Sequence, residues 1–399
     1  MHHMIDPDTA LRLVLEATPS PEPIWLPLEE ASGFVLAEPL CADRDYPPFP
    51  RAMMDGYAVC VADAGKTIPV VGEIAAGRAW SSEIAPGSAL EIMTGAPCPP
   101  GSEAVIQKER VVRAGDTVAI PSDITHGMNI SPIGSECARG KEVLHAGDLV
   151  SPLALACAAT FGRVTVRAYR PPSLAIITTG DELVPVEVEP GPAQIRNSNG
   201  IMLTAMARAI GVREITAGHA FDTPDDLDAH IQRVVSADVL LLTGAVSEGK
   251  YDNVPGALRK SGATPVFHKV AQRPGKPLFF ATRGRQLIFG LPGNPLSCHL
   301  GIHRYVTPAI WKLMGKGTER VQHRAVLGCR FNVKGSRTLF QLVRAERVGD
   351  EWRVTPCVGR GSADMYTAAH ANALVRFSPD AGEMGEGAQV HFEFLDMWR

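Results

Sequence analysis

Residues 172–318 alternate short apolar segments with amphipathic ones, and this alternation constrains the fold more than any other feature of the chain. The runs 174–178 and 239–243 are continuously apolar, as is typical of strands that helices cover on both faces of a parallel sheet. Between them, residues 199–210 have a helical pattern that ends at Gly211. The region therefore predicts a doubly wound α/β domain.

The segments on either side of this region have a different pattern. Residues 1–45 begin with a helical stripe, and 46–133 consist of short β-branched runs broken by Gly and Pro, which predict a β-rich module. Residues 134–170 hold a Gly-rich turn, a helical stretch and a strand-like run, and 319–399 return to a β pattern. Pro171-Pro172 cannot continue a helix or a central strand, so it marks a joint between domains.

Composition excludes several classes of protein. The 38 glycines and 32 prolines stay below the share typical of disordered chains, and 45% hydrophobic residues suffice for packed cores. A net charge of −4 does not favour binding to nucleic acid or an anionic membrane. We find no apolar run long enough to span a bilayer and no secretory signal. The eight cysteines are scattered without a CxxC pair, which indicates a cytoplasmic location.

Three loops of the α/β region follow predicted strands and are rich in Gly and small hydroxyl residues: 178–183, 243–249 and 290–295. In an open α/β sheet, ligands bind beyond the carboxyl ends of the strands, and glycines let the backbone approach a phosphate. Asp181, Glu182 and Asp252 could hold a divalent cation beside it. One such loop is typical of any strand–helix turn, but three at one edge favour a binding function.

Basic side chains are concentrated after Phe267, around Pro274-Gly275: His268, Lys269, Arg273 and Lys276. Lys and Arg directed at one place suit a phosphate or another oxyanion. A solvated strand-and-loop face is the alternative interpretation, and the pattern alone leaves it open.

Other motifs are less specific. Residues 244–250 match GxxxxGK, but Tyr251 stands where a P-loop needs Ser or Thr. His299 and His303 have i, i+4 spacing without an HExxH motif, so we expect a polar helix face rather than a metal pair. There is no GxSxG elbow, and Cys298 has no evident base partner, so covalent catalysis is not indicated.

Six segments, taken together and in order, resemble one family, the molybdopterin molybdenumtransferases, which is the MoeA family that includes the gephyrin E domain. They are AMMDGYAV at 52–59, GEIAAG at 72–77, IMTGAP at 92–97, TGDEL at 179–183, RPGKP at 273–277 and GLPGNP at 290–295. Each motif alone is weak, but the ordered set is specific. Two departures from the family pattern are Ala245 and Glu248, in a loop that usually reads Ser-Gly-Gly-Val-Ser followed by an apolar residue.

The resemblance implies a reaction and an architecture. The family inserts molybdenum from molybdate into adenylylated molybdopterin and releases AMP, with a divalent cation such as Mg²⁺. The fold would be a homodimer with an α/β molybdopterin-binding domain, an inserted β-rich module, an N-terminal mixed domain and a C-terminal small β-barrel. The active cleft would lie between the third domain of one subunit and the second domain of the other. The implied boundaries are 1–45 with 134–170, 46–133, 171–318 and 319–399.

Residue roles follow from the same resemblance. The implied catalytic residues are Asp55, Thr94, Glu182, Asp222 and Asp252, and the implied metal ligands are Asp181, Glu182 and Asp252. The implied substrate-binding residues are Gly180, Asp181, Gly244, Ser247, Lys269, Arg273, Lys276, Pro292, Gly293, Asn294 and Pro295. The expected further partners are an enzyme that supplies adenylylated molybdopterin and molybdoenzyme acceptors.

Two alternatives to the enzyme remain at this point. The chain could be a non-catalytic molybdopterin-binding carrier or scaffold, although the sequence has no disordered linker or appended interaction domain. It could also be an adenylyltransferase acting one step earlier, which would need only the α/β domain and leaves the other domains unexplained. Molybdate-dependent release of AMP separates the three.

Overall fold

The structure is a computed structural model that describes residues 4–244 and 254–395. The chain forms two compact units, which are best considered separately. The β-rich unit consists of Pro27–Ser32 and Glu38–Val166, and the larger unit consists of Met1–Leu26, Gly33–Ala37 and Arg167–Arg399.

The first 170 residues contain two helices and twelve short strands within the described part of the chain. They are α1 (Pro7–Ala17), β1 (Pro23–Pro27), β2 (Leu40–Cys41), β3 (Arg51–Ala52), β4 (Gly56–Val59), β5 (Thr67–Ile74), β6 (Ala89–Ile92), β7 (Ala104–Gln107), β8 (Val112–Ala114), β9 (Thr117–Ala119), β10 (Ile130–Ser131), β11 (Glu142–Leu144), α2 (Pro152–Thr160) and β12 (Thr165–Tyr169). Asp6 caps α1 by accepting from the N–H groups of Asp8 and Thr9.

Six strands of the β-rich unit form one sheet in the order β7-β4-β6-β5-β9-β8. Its residues alternate between two buried clusters, one around Leu90 and Val105 and the other around Tyr57 and Ile106. The predicted β-rich module is confirmed, and β4 lies between β6 and the edge strand β7.

The middle of the chain alternates strands and helices, as its sequence pattern predicts. The elements are β13 (Leu174–Thr179), β14 (Leu183–Val184), β15 (Ile195–Arg196), α3 (Ser198–Ala209), β16 (Ile215–Ala220), α4 (Pro224–Arg233), β17 (Val239–Thr243), α5 (Val254–Lys260), β18 (Thr264–His268), β19 (Gln272–Arg273), β20 (Phe279–Arg283), β21 (Gln286–Leu291), α6 (Pro295–Gly301) and α7 (Thr307–Leu313). A π-helical segment, Ile302–Val306, joins α6 to α7.

These strands form a sheet in the order β16-β13-β17-β21-β20-β18, with buried clusters on both faces. Residues of α1, α3, α6 and α7 pack on one face, and residues of α4 and α5 pack on the other. The predicted doubly wound α/β domain is confirmed, but the sheet is not wholly parallel. The last two strands, β20 and β18, pair antiparallel because short connections, rather than helical crossovers, link them to their neighbours.

The C-terminal region contains β22 (His323–Leu327), β23 (Phe331–Val333), β24 (Thr338–Val348), β25 (Glu351–Pro356), α8 (Met365–Ala368), β26 (Ala373–Phe377), β27 (Gly382–Met384) and β28 (Gln389–Phe394). Five strands close a barrel in the order β24-β25-β22-β28-β26, since β26 also pairs with β24. The predicted C-terminal barrel is therefore confirmed. The strand β19 of the α/β domain pairs parallel with β24 and extends this sheet by one strand.

The division into four domains with the boundaries given above stays a prediction. Across the described ranges 4–244 and 254–395, no helix is both long and apolar enough to cross a membrane.

Candidate active site

The ends of four neighbouring strands bring the predicted phosphate loops to one edge of the α/β sheet. In the parallel register, Thr178 of β13 lies opposite Thr243 of β17, and Thr243 lies opposite Leu291 of β21. On the other side, Thr179 lies opposite Ala220 of β16. Because these strands end at the same level, the loops that follow them are neighbours in space.

Two glycines make this close approach possible. Gly244 has a φ of 98°, and a Cβ there would lie 2.5 Å from Thr179 Oγ1 and 2.6 Å from Thr179 O. Gly180 has a φ of 142°, and its Cβ would lie 2.5 Å from a carboxylate oxygen of Glu182. At Gly244 a larger residue would clash with the Thr179 backbone, and at Gly180 the positive φ disfavours other residues, so both positions favour glycine.

Hydrogen bonds fix the third loop, Pro292-Gly293-Asn294, beside the end of β17. The Asn199 side-chain N–H₂ donates to Gly293 O at 2.7 Å and to Thr243 Oγ1 at 3.2 Å. Cys298 Sγ donates to Pro292 O at 2.7 Å. A Cβ on Gly293 would lie 3.8 Å from Gly244 Cα, so the two glycines present adjoining stretches of backbone.

Cys298 is a structural residue of this edge rather than a nucleophile. Its side chain is completely buried, and burial raises the pKa of the thiol to about 12. A thiol with such a pKa stays protonated at neutral pH. Cys298 therefore supports the loop and does not attack a substrate, as the sequence indicated.

Two buried polar atoms at this edge have no protein partner. Within the described part of the chain, Thr179 Oγ1 and Asn199 Oδ1 are shielded from solvent and make no hydrogen bond. Buried polar atoms are almost always hydrogen-bonded. Unsatisfied atoms beside the Gly244 and Gly293 backbone are expected of a site that a ligand completes.

Three carboxylates, Asp181, Glu182 and Asp222, form an acidic edge next to these loops. Asp181 and Glu182 follow β13, and Asp222 lies two residues after the end of the adjacent strand β16. The Asp222 backbone N–H donates to Asp181 Oδ1 at 3.0 Å. Burial, together with the charges of Asp181 and Glu182, raises the pKa of the Asp222 carboxyl group. The like charges therefore oppose one another across the strand ends.

The basic loop, residues 268–277, lies between β18 and β20. Lys269 is one of the few non-glycine residues with positive φ, at 75°, and its N–H donates to Leu278 O. The loop is held from outside the domain's sheet, because Ile5 N–H donates to Lys269 O and Ala271 N–H donates to Ile5 O at 2.7 Å. Arg273 lies in β19 and is exposed, as is Lys276.

A cavity of about 650 Å³ lies between the basic loop, the Pro292–Asn294 loop and the C-terminal barrel. We call it the basic cavity. Its described lining has four cationic side chains and one carboxylate: Arg273, Lys276, Arg337, Arg360 and Asp364. Asp364 is occupied, since its carboxylate accepts from the N–H groups of Arg360 and Thr367. The cavity therefore carries a surplus of positive charge and suits an anion.

The barrel is joined directly to this cavity. Ser362 Oγ accepts from the Asn294 amide at 2.8 Å, and Ser362 O accepts from Leu296 N–H at 3.1 Å. Arg337 donates to Gln272 O at 3.2 Å, next to Arg273. The cavity wall is thus part of the contact between the α/β domain and the barrel, both in the larger unit.

Asp55 and Thr94 form a pair in the β-rich unit. Gly56 of β4 lies opposite Ile92 of β6, so the residues just outside these strand ends are neighbours. Both the backbone N–H and the hydroxyl of Thr94 donate to Asp55 Oδ1 at 2.7 Å. These bonds, more than the ammonium of Lys108 at 3.7 Å, lower the pKa of the Asp55 carboxyl group. Asp55 is therefore a fixed, ionised carboxylate.

Some predicted residues fall elsewhere. Asp252 and Ser247 lie outside the described residues, and Pro295 is the first residue of α6.

The expectation of a polar face for His299 and His303 is wrong for His303. This side chain is 1% exposed, and its Nε2 lies 3.2 Å from Glu393 Oε1. The Glu393 carboxylate reaches it from β28, which sequence spacing could not reveal.

Sequence reasoning missed several residues that shape the site. Asn199, Thr243 and Ser362 hold the third loop, and Arg337 and Arg360 enter the basic cavity from the barrel. Asn199 follows a helix cap and could have been noticed there. The two arginines lie more than 60 residues from the basic loop, in a region without a local motif.

Comparisons with known proteins agree with this arrangement. Residues 5–162 match the family model described as "MoeA N-terminal region (domain I and II)", and residues 175–312 match "Probable molybdopterin binding domain". A molybdopterin molybdenumtransferase of Staphylococcus epidermidis is 34% identical over 92% of this chain and 90% of its own, and one of Staphylococcus aureus is 32% identical over the same shares.

A solved structure extends the likeness to the whole fold. The molybdopterin biosynthesis MoeA protein from Pyrococcus horikoshii superposes with a TM-score of 0.84 at 27% identity, covering 98% of this chain and 99% of its own. The resemblance inferred from the six motifs is thereby confirmed. This chain belongs to the MoeA family of molybdopterin molybdenumtransferases.

Proposed function

We propose that this enzyme transfers molybdenum from molybdate to adenylylated molybdopterin and releases AMP. One observation carries the proposal. The Pro292–Asn294 loop borders two places at once, the Gly244–Gly293 backbone on one side and the basic cavity on the other. A phosphate-bearing pterin and a molybdate ion held there would lie on the two sides of a single loop.

The phosphate end of the substrate has a suitable cradle. Adjoining backbone at Gly244 and Gly293 allows close approach of phosphate oxygens, and the unsatisfied hydroxyl of Thr179 can donate a hydrogen bond to one of them. Ser247 would complete this cradle. The protein's part here is to bind and orient the substrate.

Mg²⁺ fits the donor chemistry of the acidic edge. Asp181 and Glu182 supply hard oxygen ligands, and their repulsion of the nearby Asp222 carboxylate favours a cation at this edge. Over residues 4–244 and 254–395, no cluster of three such side chains is arranged to hold a metal unaided. Mg²⁺ characteristically takes its remaining ligands from substrate phosphates and water. Asp181, Glu182 and Asp252 would hold the ion, which would neutralise charge on the pyrophosphate.

Hydrolysis of the adenylate needs a positioned water and a proton acceptor. The water oxygen forms a bond to the adenylyl phosphorus, the bond from that phosphorus to the pterin phosphate breaks, and AMP leaves. We assign the proton to the Asp222 carboxylate, because it lies beside Asp181 at the acidic edge and is not one of the proposed metal ligands.

Molybdate is assigned to the basic cavity. Arg273 and Lys276 from the basic loop face the same space as Arg337 and Arg360 from the barrel. Their charges attract and hold the dianion while Lys269 contributes a further cation from the same loop. Molybdate is a substrate in this scheme.

We propose further that the enzyme is a cytoplasmic homodimer. All eight cysteines are free, which suits a reducing compartment. The Asp55–Thr94 pair is built in the β-rich unit, whereas the phosphate loops and basic cavity belong to the larger unit. An enzyme that supplies adenylylated molybdopterin and molybdoenzymes that accept the product would be its partners.

Complementation tests the dimer. Asp55→Asn and Arg273→Glu homodimers should each release AMP far more slowly than wild type, while unfolding and refolding them together should restore part of the wild-type rate. That recovery requires Asp55 and Arg273 of different subunits to serve one reaction. A stable monomer near 43 kDa in light scattering contradicts the proposal.

The reaction itself is tested with purified protein and adenylylated molybdopterin. AMP should appear only when molybdate is added, and the Asp55→Asn variant should fold normally but release AMP far more slowly. If the pterin binds and no molybdate-dependent AMP appears, the chain is a carrier or scaffold rather than the enzyme.

A further inference from the structure

His299 is the one imidazole in the described lining of the basic cavity. It lies on α6, is half-buried, and its ring stacks on that of His303 with centroids 6.2 Å apart and an interplanar angle of 16°. His303 is buried one turn further along. The pair therefore leads from the cavity into the interior.

The interior end of this pair is fixed by charge. His303 Nε2 lies 3.2 Å from Glu393 Oε1, and the same carboxylate accepts from Arg304 at 3.5 Å and from Gln322 at 3.1 Å. The Arg320 guanidinium donates to His303 O. These partners hold His303 in the interior, and His299 is the member of the pair that lines the cavity.

The charges around His299 come from every element near it. On its cavity side are Arg273, Lys276, Arg337, Arg360 and Asp364, and behind it are His303, Arg304 and Glu393. Cations in the cavity disfavour a protonated imidazole when no anion is bound, whereas a dianion favours it. Histidine is the side chain that changes charge between pH 5 and 8.

We propose that His299 takes up a proton when molybdate enters the basic cavity, so that an imidazolium contributes to holding the anion. This inference depends on the proposed function, since it assumes that the cavity receives molybdate. The binding step would then be favoured as pH falls from 8 to 6. The arrangement assigns His299 a direct binding role beside Arg273 and Lys276.

Calorimetric titration of the full-length protein with inorganic molybdate measures this uptake. At pH 7, titrations in two buffers with different ionisation enthalpies should show uptake of up to about one proton per molybdate. His299→Gln should take up none and bind roughly tenfold more weakly, as expected for a lost charge-assisted contact. His126→Gln, at an exposed position of the β-rich unit, should match the wild type.

A second variant keeps the test decisive. His299→Lys carries a permanent charge and should bind molybdate without proton uptake, whether or not the Gln variant folds well. Unchanged proton uptake in both variants, or none in the wild type, overturns the role of His299. Neither of these calorimetric results changes the expectation that the wild-type protein releases AMP when molybdate is added. Absence of that release contradicts the proposed function instead, whatever the calorimetry shows.

Discussion

The acidic edge and the basic cavity carry opposite charges. In both regions, most of the charge is not neutralised by oppositely charged side chains of the same region. Asp181, Glu182 and Asp222 repel one another, and Asp222 shows this by its raised carboxyl pKa. The basic cavity is lined by four cationic side chains and by one carboxylate, which already accepts hydrogen bonds from backbone N–H groups. Neither region neutralises the other, although both border the loops at one sheet edge.

Charges that serve the fold behave differently. Glu393 is buried, but the hydrogen bond with His303 and the charge of Arg304, against the effect of burial, bring the pKa of its carboxyl group down to about 2. Arg170 and Asp238 form a similar matched pair. In these two examples structural charge is balanced by a partner within the chain, and we expect the uncompensated charges of the acidic edge and the basic cavity to meet ligands instead.

The largest expected effect comes from reversing a charge in the basic cavity. Arg273→Glu should lower molybdate-dependent AMP release by about 100-fold, because it removes a charge-assisted contact and adds repulsion toward the dianion. Steady-state assays across a molybdate titration measure this. Arg233→Glu, at the exposed C-terminal end of α4, is the matched control, and an equal loss there would remove the distinction between the two arginines.

A smaller effect is expected at the acidic edge. Glu182→Gln should raise the Mg²⁺ concentration for half-maximal activity about tenfold, since one anionic ligand becomes neutral. Activity assays over a Mg²⁺ series give the value, with Glu187→Gln, an exposed carboxylate nearby in sequence, as control. An unchanged Mg²⁺ dependence would show that Glu182 does not hold the ion.

Asp222→Asn should stabilise the fold at neutral pH. Because the folded-state pKa is raised, the ionised carboxylate destabilises the protein above that pKa, and this effect is absent below the ordinary value of 3.8. The variant should therefore melt about 2 °C higher than wild type at pH 7 and at the same temperature at pH 3.5. Thermal melts at both pH values test the sign, and a lower Tm at pH 7 contradicts it.

The smallest expected effect is a stability difference between two variants of Lys269, which separates the role of its backbone conformation from that of its charge. Both Lys269→Gly and Lys269→Ala remove the ammonium and should reduce activity equally. Only glycine relieves the positive φ of 75°, so the Gly variant should be about 1 kcal/mol more stable than the Ala variant. Denaturant unfolding of the two variants measures this difference. Equal stabilities would show that the left-handed backbone carries no strain.

Much of the fold follows from local pattern. The apolar run at 239–243 is found as β17 with the same ends, and the stretch after Ser151 forms α2 with that residue as its cap. Strand direction at the far side of the sheet was not predictable. The antiparallel pairing of β20 and β18 depends on how the basic loop and the turn at Gly284 reverse the chain, and the strand pattern alone does not predict this.

The candidate site shows the same limit. Loop glycines such as Gly244 can be recognised in the sequence, because only glycine adopts their conformation without clashes. The pairing of Asp55 with Thr94 depends on the register of β4 and β6, and Arg337 reaches the basic cavity through the barrel. Such contacts are set by tertiary structure, and the family resemblance supplied only some of them.

The pairing of β19 with β24 has a consequence for modularity. Gln272 and Arg273 obtain a strand partner from the barrel, and Thr338 N–H donates back to Ala271 O. A protein shortened to end near residue 318 would keep the α/β sheet but leave this strand with open backbone groups and the arginine without a fixed direction. The barrel is therefore not a detachable appendage, and gene fusions or domain swaps should carry the α/β domain and the barrel as one cassette.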